Sequence, residues 1–418
     1  MKMPLLALLL SLTPLSLLAG DWTSKGEIKA ELRQFTDDDN EITKDTNLGM
    51  FARLEARYRN GPWRAILRGF GRVDHEDDSR DLSAFEEAWI GYRKSGWDIR
   101  LGYQMLNWTA TEAFHPADIV NSRNLDSNIE NPEKLGELML SIRRSVGQGG
   151  ITLYALPRYE EPNLPGPTVR LSFVPPGFAV GDPIWLEGDG EVSDDSYGEQ
   201  WGARFTQTIG DADLSIHYLD HIDRQIPGFA ADPTSGIVRP IYFRTQDLGL
   251  TYLHVIGAWI AKLEYAYKDF EDQSLPVPGI LPFPINQTDH QQAAFGLEYG
   301  WNGASGSETT FILEGQTVLD TTEEERALLN PFQRDALVGI RHAWNDRLGK
   351  ELLVTVIGDL ERDDEILFNL LYSQRLSDTW SIETGLRWID APPKDAFPVG
   401  LENLHEANQV FFNLSRFF

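Results

Sequence analysis

The sequence predicts an antiparallel, up-and-down β-barrel that spans a membrane, and three observations support this fold class. Apolar and polar residues alternate with a period of two from about residue 26 to the end of the chain, which places them on opposite faces of strands. Short turns and long polar loops alternate between these strands. Tyrosine and tryptophan residues mark the strand ends beside the short turns, as in the aromatic girdle of a membrane barrel.

The first twenty residues form a segment of their own before the alternation starts. Lys2 provides a basic start, and residues 5–18 are rich in leucine, with Pro14 interrupting them. A short apolar segment of this kind, followed by small residues, is typical of a secretory signal peptide and not of a membrane anchor. We therefore expect a signal peptide over residues 1–20 and a single barrel domain over residues 21–418, although the length alone would suggest two or three domains.

The alternation is clearest between residues 46 and 60. Apolar residues occupy the even positions from Leu48 to Tyr58, and charged residues fill the odd positions from Arg53 to Arg59. The same pattern recurs in residues 63–72, 88–103, 201–205, 214–218, 259–267, 293–301, 366–372 and 380–388. A soluble β-sandwich could show it in a few strands. Because no helical domain interrupts it, the pattern favours one closed sheet.

Two kinds of connection separate the strands. Eight are short, at residues 60–62, 94–96, 145–150, 208–211, 256–257, 302–307, 345–349 and 376–379. Nine are long and polar, at residues 37–46, 74–82, 105–136, 158–196, 221–240, 269–289, 319–331, 361–364 and 390–405. These connections join 18 strands, with the short turns at one end of the barrel and the long loops at the other. A barrel of 16 strands is the alternative, because loops 158–196 and 221–240 could each hide or mimic a strand.

The charged residues of the alternating pattern indicate where water lies. Charges that face lipid or a packed core are costly, so they must face a water-filled interior while the apolar residues face lipid. Aromatic rings settle at the level of the lipid headgroups. Those beside the turns include Tyr58, Trp63, Tyr92, Trp97, Trp259, Trp301 and Trp380. In a soluble β protein, which is the alternative, these aromatic ends would have no purpose.

Composition narrows the function classes. The chain has 64 acidic and 37 basic residues, a formal net charge of −27 and no cysteine. This acidity argues against nucleic-acid binding, which needs a basic surface, and the lack of cysteine excludes disulfides and thiolate chemistry. His217 and His221 lie on one face of a strand but roughly 13 Å apart, which is too far for one metal ion. We therefore expect no metal, no cofactor and no enzyme activity.

One group of inward residues has unusual chemistry, namely an array of arginines on four neighbouring strands. If Tyr58 lies opposite Trp63, two pairs of arginines face each other, Arg57 with Arg64 and Arg53 with Arg68. Like charges in such positions repel, so water or carboxylates must compensate them. The array comprises Arg53, Arg57, Arg64, Arg68, Arg72, Arg93 and Arg100.

The third long loop, residues 105–136 and here called loop 3, offers such carboxylates. It starts from the strand next to the arginines and contains Glu112, Asp118, Asp126, Glu130 and Glu133. We therefore expect loop 3 to fold into the barrel and form an acidic constriction opposite an arginine wall. A transverse field across a narrow pore orders dipolar solutes and sorts ions. The alternative is that the arginines are solvated residues of a wide pore.

The last ten residues form another alternating segment, in which Phe412, Leu414 and Phe418 share the outward face. A phenylalanine that ends such a strand resembles the assembly signal of Gram-negative outer-membrane proteins. This resemblance implies the barrel-assembly machinery as a partner. Arg416 departs from the apolar residue that is usual two places before the end.

A further resemblance lies in and beside loop 3. Residues 101–104 (Leu-Gly-Tyr-Gln), 107–108 (Asn-Trp) and 114–121 (Phe-His-Pro-Ala-Asp-Ile-Val-Asn) resemble a segment of large porin-like outer-membrane families. These families include substrate-specific channels and alginate-export-like proteins. The resemblance implies an integral protein of the Gram-negative outer membrane, a monomer or a homotrimer, in contact with lipid and lipopolysaccharide. It also implies passive diffusion of small hydrophilic solutes, anions among them.

Two other functions stay open at this point. The same arginines could form a ladder in an export conduit for an anionic polysaccharide. Alternatively, the loops could carry a rim enzyme or an adhesin.

Overall fold

The computed structural model describes residues 20–37, 43–127, 132–172, 174, 178–186, 192–193, 197–225, 227–232, 234–271, 274–275, 285–304, 306–393 and 399–418. The predicted signal peptide, apart from Gly20, lies outside the described residues, and so does Glu130 of loop 3.

Eighteen antiparallel strands form one closed barrel. They are β1 (Asp21–Phe35), β2 (Thr46–Asn60), β3 (Trp63–Asp74), β4 (Leu82–Lys94), β5 (Trp97–Gln104), β6 (Glu137–Val146), β7 (Gly149–Arg158), β8 (Tyr197–Ile209), β9 (Ala212–Ile222), β10 (Arg244–Ile256), β11 (Trp259–Phe270), β12 (His290–Asn302), β13 (Glu308–Leu319), β14 (Arg334–Ala343), β15 (Glu351–Asp359), β16 (Ile366–Arg375), β17 (Trp380–Asp390) and β18 (Gln409–Phe417). The predicted barrel of 18 strands is confirmed, and the alternative of 16 is wrong.

The first and last strands close the barrel. In register, Leu32 of β1 lies opposite Leu48 of β2 on one side and opposite Phe412 of β18 on the other. At the chain end, the Gly26 N–H donates to the Phe418 carbonyl at 2.8 Å, and the Phe418 N–H donates back at 3.0 Å. The Phe418 ring lies where a side chain on Gly26 would be, since a Cβ there would meet it at 2.4 Å. Glycine at position 26 therefore allows the C-terminal ring to pack against the seam.

The eight predicted short turns all connect neighbouring strands at one end of the barrel. Several are tight because a glycine adopts a positive φ, as Gly61 does at +55° and Gly257 at +64°. Glycine takes this conformation with little strain. The nine long connections lie at the opposite end.

The pairing predicted across the first short turn is wrong by two residues. Asn60, not Tyr58, lies opposite Trp63, because only Gly61 and Pro62 form the turn. A shift of two residues keeps every side chain on its predicted face but changes its partner. Arg68 therefore lies opposite Glu55 instead of opposite another arginine.

The long loops contain short elements of their own. Helix α1 (Glu323–Leu329) begins with a capping box at Thr322 and Glu325, and two 3-10 helices span Asp78–Arg80 and Gly400–Leu404. Short strands pair within the loops, at Arg123–Asn124 with Glu133–Lys134, at Ser274–Leu275 with Ile285–Asn286, and among Ala179–Val180, Ile184–Leu186, Val192–Ser193, Gly228–Asp232 and Ile237–Tyr242. Within the described ranges, no helix has the length and apolar character needed to cross a membrane.

The outer wall of the barrel is apolar and accessible. Leu101 of β5 and Val338 of β14 are 57% and 60% exposed, and a contiguous surface of this kind marks contact with lipid or a partner. Aromatic pairs lie on the strands beside the short turns, with ring centroids 5.1 Å apart for Trp63 and Tyr92. The wall thus has the apolar band and aromatic end of a membrane-spanning barrel.

Candidate functional site

Described residues of loop 3 contact the inward faces of strands on the far side of the barrel. Glu264 of β11 accepts hydrogen bonds from the N–H groups of Ala110 and Thr111, at 2.5 and 2.9 Å. Its other oxygen accepts from the Ala117 N–H at 3.2 Å. The Glu264 side chain is buried, while its neighbour Leu263 is 37% exposed on the outer wall. The loop backbone is therefore bound to the inward face of β11.

A second carboxylate holds the next two residues of the loop. Glu314 of β13 accepts from the Glu112 N–H at 2.6 Å and from the Ala113 N–H at 3.0 Å. Glu314 is buried, like Glu264. Carboxylates that accept backbone N–H groups form strong, charge-assisted hydrogen bonds.

The side chain of Glu112 extends the contact to the opposite wall. It forms ion pairs with Lys262 of β11 at 2.9 Å and with Arg341 of β14 at 2.6 Å. Burial would raise the pKa of this carboxyl, but the hydrogen bonds from Arg341 and Lys262 outweigh it and lower the pKa of Glu112 to about 2. Glu112 is therefore ionised over the physiological pH range.

The start of loop 3 packs in an aromatic cluster on the inner wall. Trp108 is buried, its ring centroid lies 4.5 Å from that of His217, and the Arg204 guanidinium stacks over it at 4.8 Å. His221 instead bonds Asp247 at 2.5 Å. Among the described residues, no group of three or more acidic or histidine side chains is placed to hold a metal ion.

The other end of loop 3 contacts the wall formed by β1, β2 and β3. Arg72 donates to Glu31 of β1 at 2.8 Å and to Glu133 of loop 3 at 3.1 Å. Arg33 lies 3.5 Å from Asp126 of the same loop. Of the predicted arginines, Arg72 is the one that contacts a described carboxylate of loop 3.

Three other predicted arginines, Arg53, Arg57 and Arg68, pair with carboxylates of the barrel wall. Arg53 lies 2.9 Å from Glu86, and Arg68 lies 3.2 Å from the same residue. Arg57 lies 2.6 Å from Glu55. The prediction paired the arginines only with one another and with loop 3, and it did not consider Glu55 of β2 or Glu86 of β4 as partners.

The arginines nearest the short turns have fewer acidic partners. Arg93 and Arg100 share Asp98, at 3.9 and 3.0 Å. Arg64 lies directly opposite Arg59. Positive charge is therefore concentrated at the turn end of this wall, whereas the wall beside loop 3 is largely compensated.

The predicted carboxylates of loop 3 also differ in their partners, which lie either on the barrel wall or within the loop itself. Glu112 pairs with β11 and β14, as described above. Asp118 pairs within the loop, with Arg123 at 2.6 Å and Lys134 at 2.5 Å. Although burial opposes it, these cations lower the pKa of Asp118. Asp126 contacts Arg33 and Arg80, and its burial raises its pKa despite both cations.

A cavity of about 400 Å³, here called the passage, lies between loop 3 and the arc of strands from β13 to β18 and β1 to β3. Six cationic side chains line it, namely Lys29, Arg33, Arg72, Arg80, Arg341 and Arg387. Five anionic side chains do so as well, namely Glu31, Asp74, Glu112, Glu133 and Glu383. The lining is therefore almost neutral, in contrast to the arginine wall expected from the sequence.

Among the residues of this site that were not predicted from the sequence, two sets differ in whether the sequence marks them. Glu264 and Glu314 fit the alternation as ordinary inward charges, so no local signal marks them as anchors of a distant loop. Leu353 and Leu371 line the passage, and here a signal exists. Each belongs to a pair of consecutive leucines, at residues 352–353 and 370–371, which breaks the alternation and turns one leucine inward.

Comparisons with known proteins identify the fold. No protein-family model matches the sequence, and no curated protein matches it significantly. Among solved structures, OccK5 (OpdH) of Pseudomonas aeruginosa is 10% identical, with 95% of this chain and 97% of that chain covered and a TM-score of 0.53. OpdQ of Pseudomonas aeruginosa is 9% identical over 96% and 97% of the two chains, with a TM-score of 0.52. OccK11 (OpdR) of the same organism is 10% identical over 94% and 96%, with a TM-score of 0.50.

The chain shares the closed β-barrel fold of these solved structures. The closed sheet, the apolar outer wall and the aromatic strand ends are those of an integral outer-membrane β-barrel. Within this class, the inward loop with its two glutamate anchors and the passage beside it form the candidate functional site.

Proposed function

We propose that the chain is a passive diffusion channel for small hydrophilic solutes, with its narrowest part between loop 3 and strands β14 to β18. The observation that carries this proposal is the anchoring of loop 3 by Glu264 and Glu314 inside the barrel. The loop fills one side of the lumen and leaves a charged passage on the other. Fixed charges in a narrow aqueous passage favour polar solutes and sort ions.

The charge distribution supports a modest preference for anions. Charges beside loop 3 nearly cancel, so this part of the lumen favours neither sign strongly. Arg57 and Arg93, nearer the turns, each keep 55% of the side chain exposed. Their field reaches the water at that end and raises the local concentration of anions.

The other candidate functions have less support. A conduit for an anionic polysaccharide needs a row of uncompensated cations, whereas Arg53, Arg68 and Arg72 all carry carboxylate partners. Among the described residues, no arrangement of side chains favours an enzyme or an adhesin at the rim.

Reconstitution into planar lipid bilayers tests the proposal. Purified, folded protein should produce stable unitary current steps, and its reversal potential in a salt gradient should indicate a weak preference for anions. Heat-unfolded protein from the same preparation is the control and should give no steps. Silence of the folded protein in every bilayer would contradict channel function.

We also propose that residues 1–20 are removed as a signal peptide, since the first barrel strand begins at Asp21. Sequencing the N-terminus of protein purified from membranes should give Asp21 first. An intact Met1 in the membrane form would contradict this.

A further inference from the structure

An apolar row lines one side of the passage, at the level of loop 3. Leu353 of β15 lies directly opposite Leu371 of β16, and Leu371 lies opposite Gly385 of β17. Gly385 in turn lies opposite Phe411 of β18. The Phe411 ring covers Gly385, because a Cβ on that glycine would meet the ring at 2.5 Å. Leu353, Leu371 and Phe411 therefore form one continuous apolar strip, here called the apolar row.

Charged residues end the row on both sides. Arg341 lies opposite Leu353 on β14, and Arg33 lies opposite Phe411 on β1. Both arginines have acidic partners in loop 3, Glu112 at 2.6 Å and Asp126 at 3.5 Å. The row thus lies between two ion pairs that each join the barrel to loop 3.

The apolar row is not enclosed in the core of the protein, although Leu353 packs against a buried apolar cluster and Phe411 is buried. Leu353 and Leu371 are only partly buried, and both line the water-accessible passage with Phe411. Inward positions of a water-filled barrel are ordinarily polar, and apolar surface in contact with water is unfavourable. A solute that covers the row with an apolar group removes that unfavourable contact.

The charged side chains that face the passage determine which charged groups the solute can carry beside its apolar group. Lys29 lies 2.8 Å from Glu31, and Glu31 lies 2.8 Å from Arg72, so opposite charges alternate within a few ångströms. A solute with one charge competes with these pairs at one of its ends only. A solute with both charges can place each end beside an opposite charge.

We propose that the constriction selects small zwitterions that carry an apolar side chain, of the size of an amino acid. The ammonium and carboxylate groups of such a solute interact with the alternating charges, and its side chain covers the apolar row. This inference rests on the proposed channel function and adds the class of solute. The passage of about 400 Å³ has room for a molecule of this size.

Uptake into proteoliposomes of the full chain tests the inference with four matched probes. Leucine is the apolar zwitterion, glutamine is a polar zwitterion of similar size, N-acetylleucine is an anion, and leucinamide at pH 6 is a cation. Leucine should enter several-fold faster than each of the other three. Equal rates for leucine and glutamine, or fastest entry of N-acetylleucine, would overturn the inference.

Substitution of the row gives an independent test. Leu371→Asn should bring the ratio of leucine to glutamine uptake close to one. Ser373→Asn, on the same strand and face but nearer the turn, is the control and should keep the wild-type ratio. An unchanged ratio in Leu371→Asn would overturn the role of the row. If the wild-type protein conducts ions but shows no solute preference, only this inference is wrong. If the wild-type protein does not conduct ions, the proposed channel function is wrong.

Discussion

Arg341 on β14 donates a hydrogen bond from Nη2 to Oε2 of Glu112 in loop 3, at 2.6 Å. The other oxygen of the same carboxylate accepts from Lys262 of β11 at 2.9 Å. A single side chain thus joins the loop to two strands that are not neighbours in the barrel. Loss of this carboxylate should therefore affect both the position of the loop and the charge of the passage.

Replacing Glu112 with glutamine tests these two contacts of its carboxylate. Glu112→Gln keeps the shape of the side chain but removes its charge, so the loop should fluctuate more and Arg341 should lose its ionised partner in loop 3. We expect noisier single-channel currents and a reversal potential shifted toward anions. Glu76→Gln, at an exposed carboxylate of the second long loop, is the matched control. Wild-type current noise and ion selectivity in Glu112→Gln would show that the contacts of the Glu112 carboxylate do not hold the loop.

Protonation of Glu112 should break its contacts with Lys262 and Arg341 within a defined pH range. The pKa of Glu112 falls from its ordinary value of 4.5 to about 2 in the folded protein. The ionised carboxylate therefore stabilises the folded loop fully above pH 4.5, and this contribution is lost as the pH falls toward about 2. Current noise of the wild type should rise over that interval until it matches that of Glu112→Gln. A rise at pH 6, or parallel pH profiles of the two proteins, would contradict the assignment.

The backbone anchor at Glu264 should matter more than any exposed charge. Glu264→Gln replaces one carboxylate oxygen with an amide N–H₂, so either the Ala117 N–H or the N–H groups of Ala110 and Thr111 lose their acceptor. The free energy that holds loop 3 should fall by about 1–3 kcal/mol. Limited proteolysis should cut loop 3 faster in this variant, whereas Glu308→Gln, at an exposed turn-end residue, should behave as wild type. Equal cleavage rates would argue against the anchor.

Removing Arg72 should change ion selectivity toward cations. Arg72→Ala leaves Glu31 and Glu133 without their shared partner, so the passage becomes more negative. One unit charge acting over about 8 Å in water changes the energies of an anion and of a cation by about 0.5 kcal/mol each, in opposite directions, which corresponds to roughly a five-fold lower ratio of anion to cation permeability. Reversal potentials in a potassium chloride gradient measure this ratio. Arg72→Lys, which keeps the charge, should stay near the wild type, and an unchanged ratio in Arg72→Ala would remove Arg72 from the selectivity mechanism.

The C-terminal residue should control folding yield. Deletion of Phe418 removes both hydrogen bonds to Gly26 and the ring that packs there. We expect less folded barrel in outer-membrane fractions, measured by the heat-dependent shift of the band in gel electrophoresis. Phe418→Leu keeps the backbone bonds and an apolar end, so it should recover most of the yield. Wild-type yield after the deletion would contradict a role of Phe418 in assembly.

The architecture was predictable because its signals are local. A strand with one face toward lipid must alternate, and the short turns contain residues such as Gly61 that permit positive φ. The partner of each side chain was not predictable in the same way. Pairing Tyr58 or Asn60 with Trp63 leaves the same residues inside, so alternation alone does not distinguish the two registers.

The site was less accessible to sequence reasoning than the fold. The carboxylates of loop 3 were identified, but their partners Lys262 and Arg341 lie more than a hundred residues further along the chain. Only closure of the barrel brings them together with Glu112. The apolar row, in contrast, has a signal in the sequence, because the consecutive leucines at 352–353 and 370–371 break the alternation of apolar and polar residues.

Modification of single cysteines most directly tests where ions pass, and the absence of native cysteine makes it feasible. Leu371→Cys places a thiol in the passage between loop 3 and the barrel wall, and Val356→Cys places one on the outer wall. A hydrophilic, charged methanethiosulfonate reagent should reduce the current through Leu371→Cys channels in discrete steps and leave Val356→Cys channels unchanged. Complete modification of Leu371→Cys without any change in current would contradict an ion pathway beside loop 3.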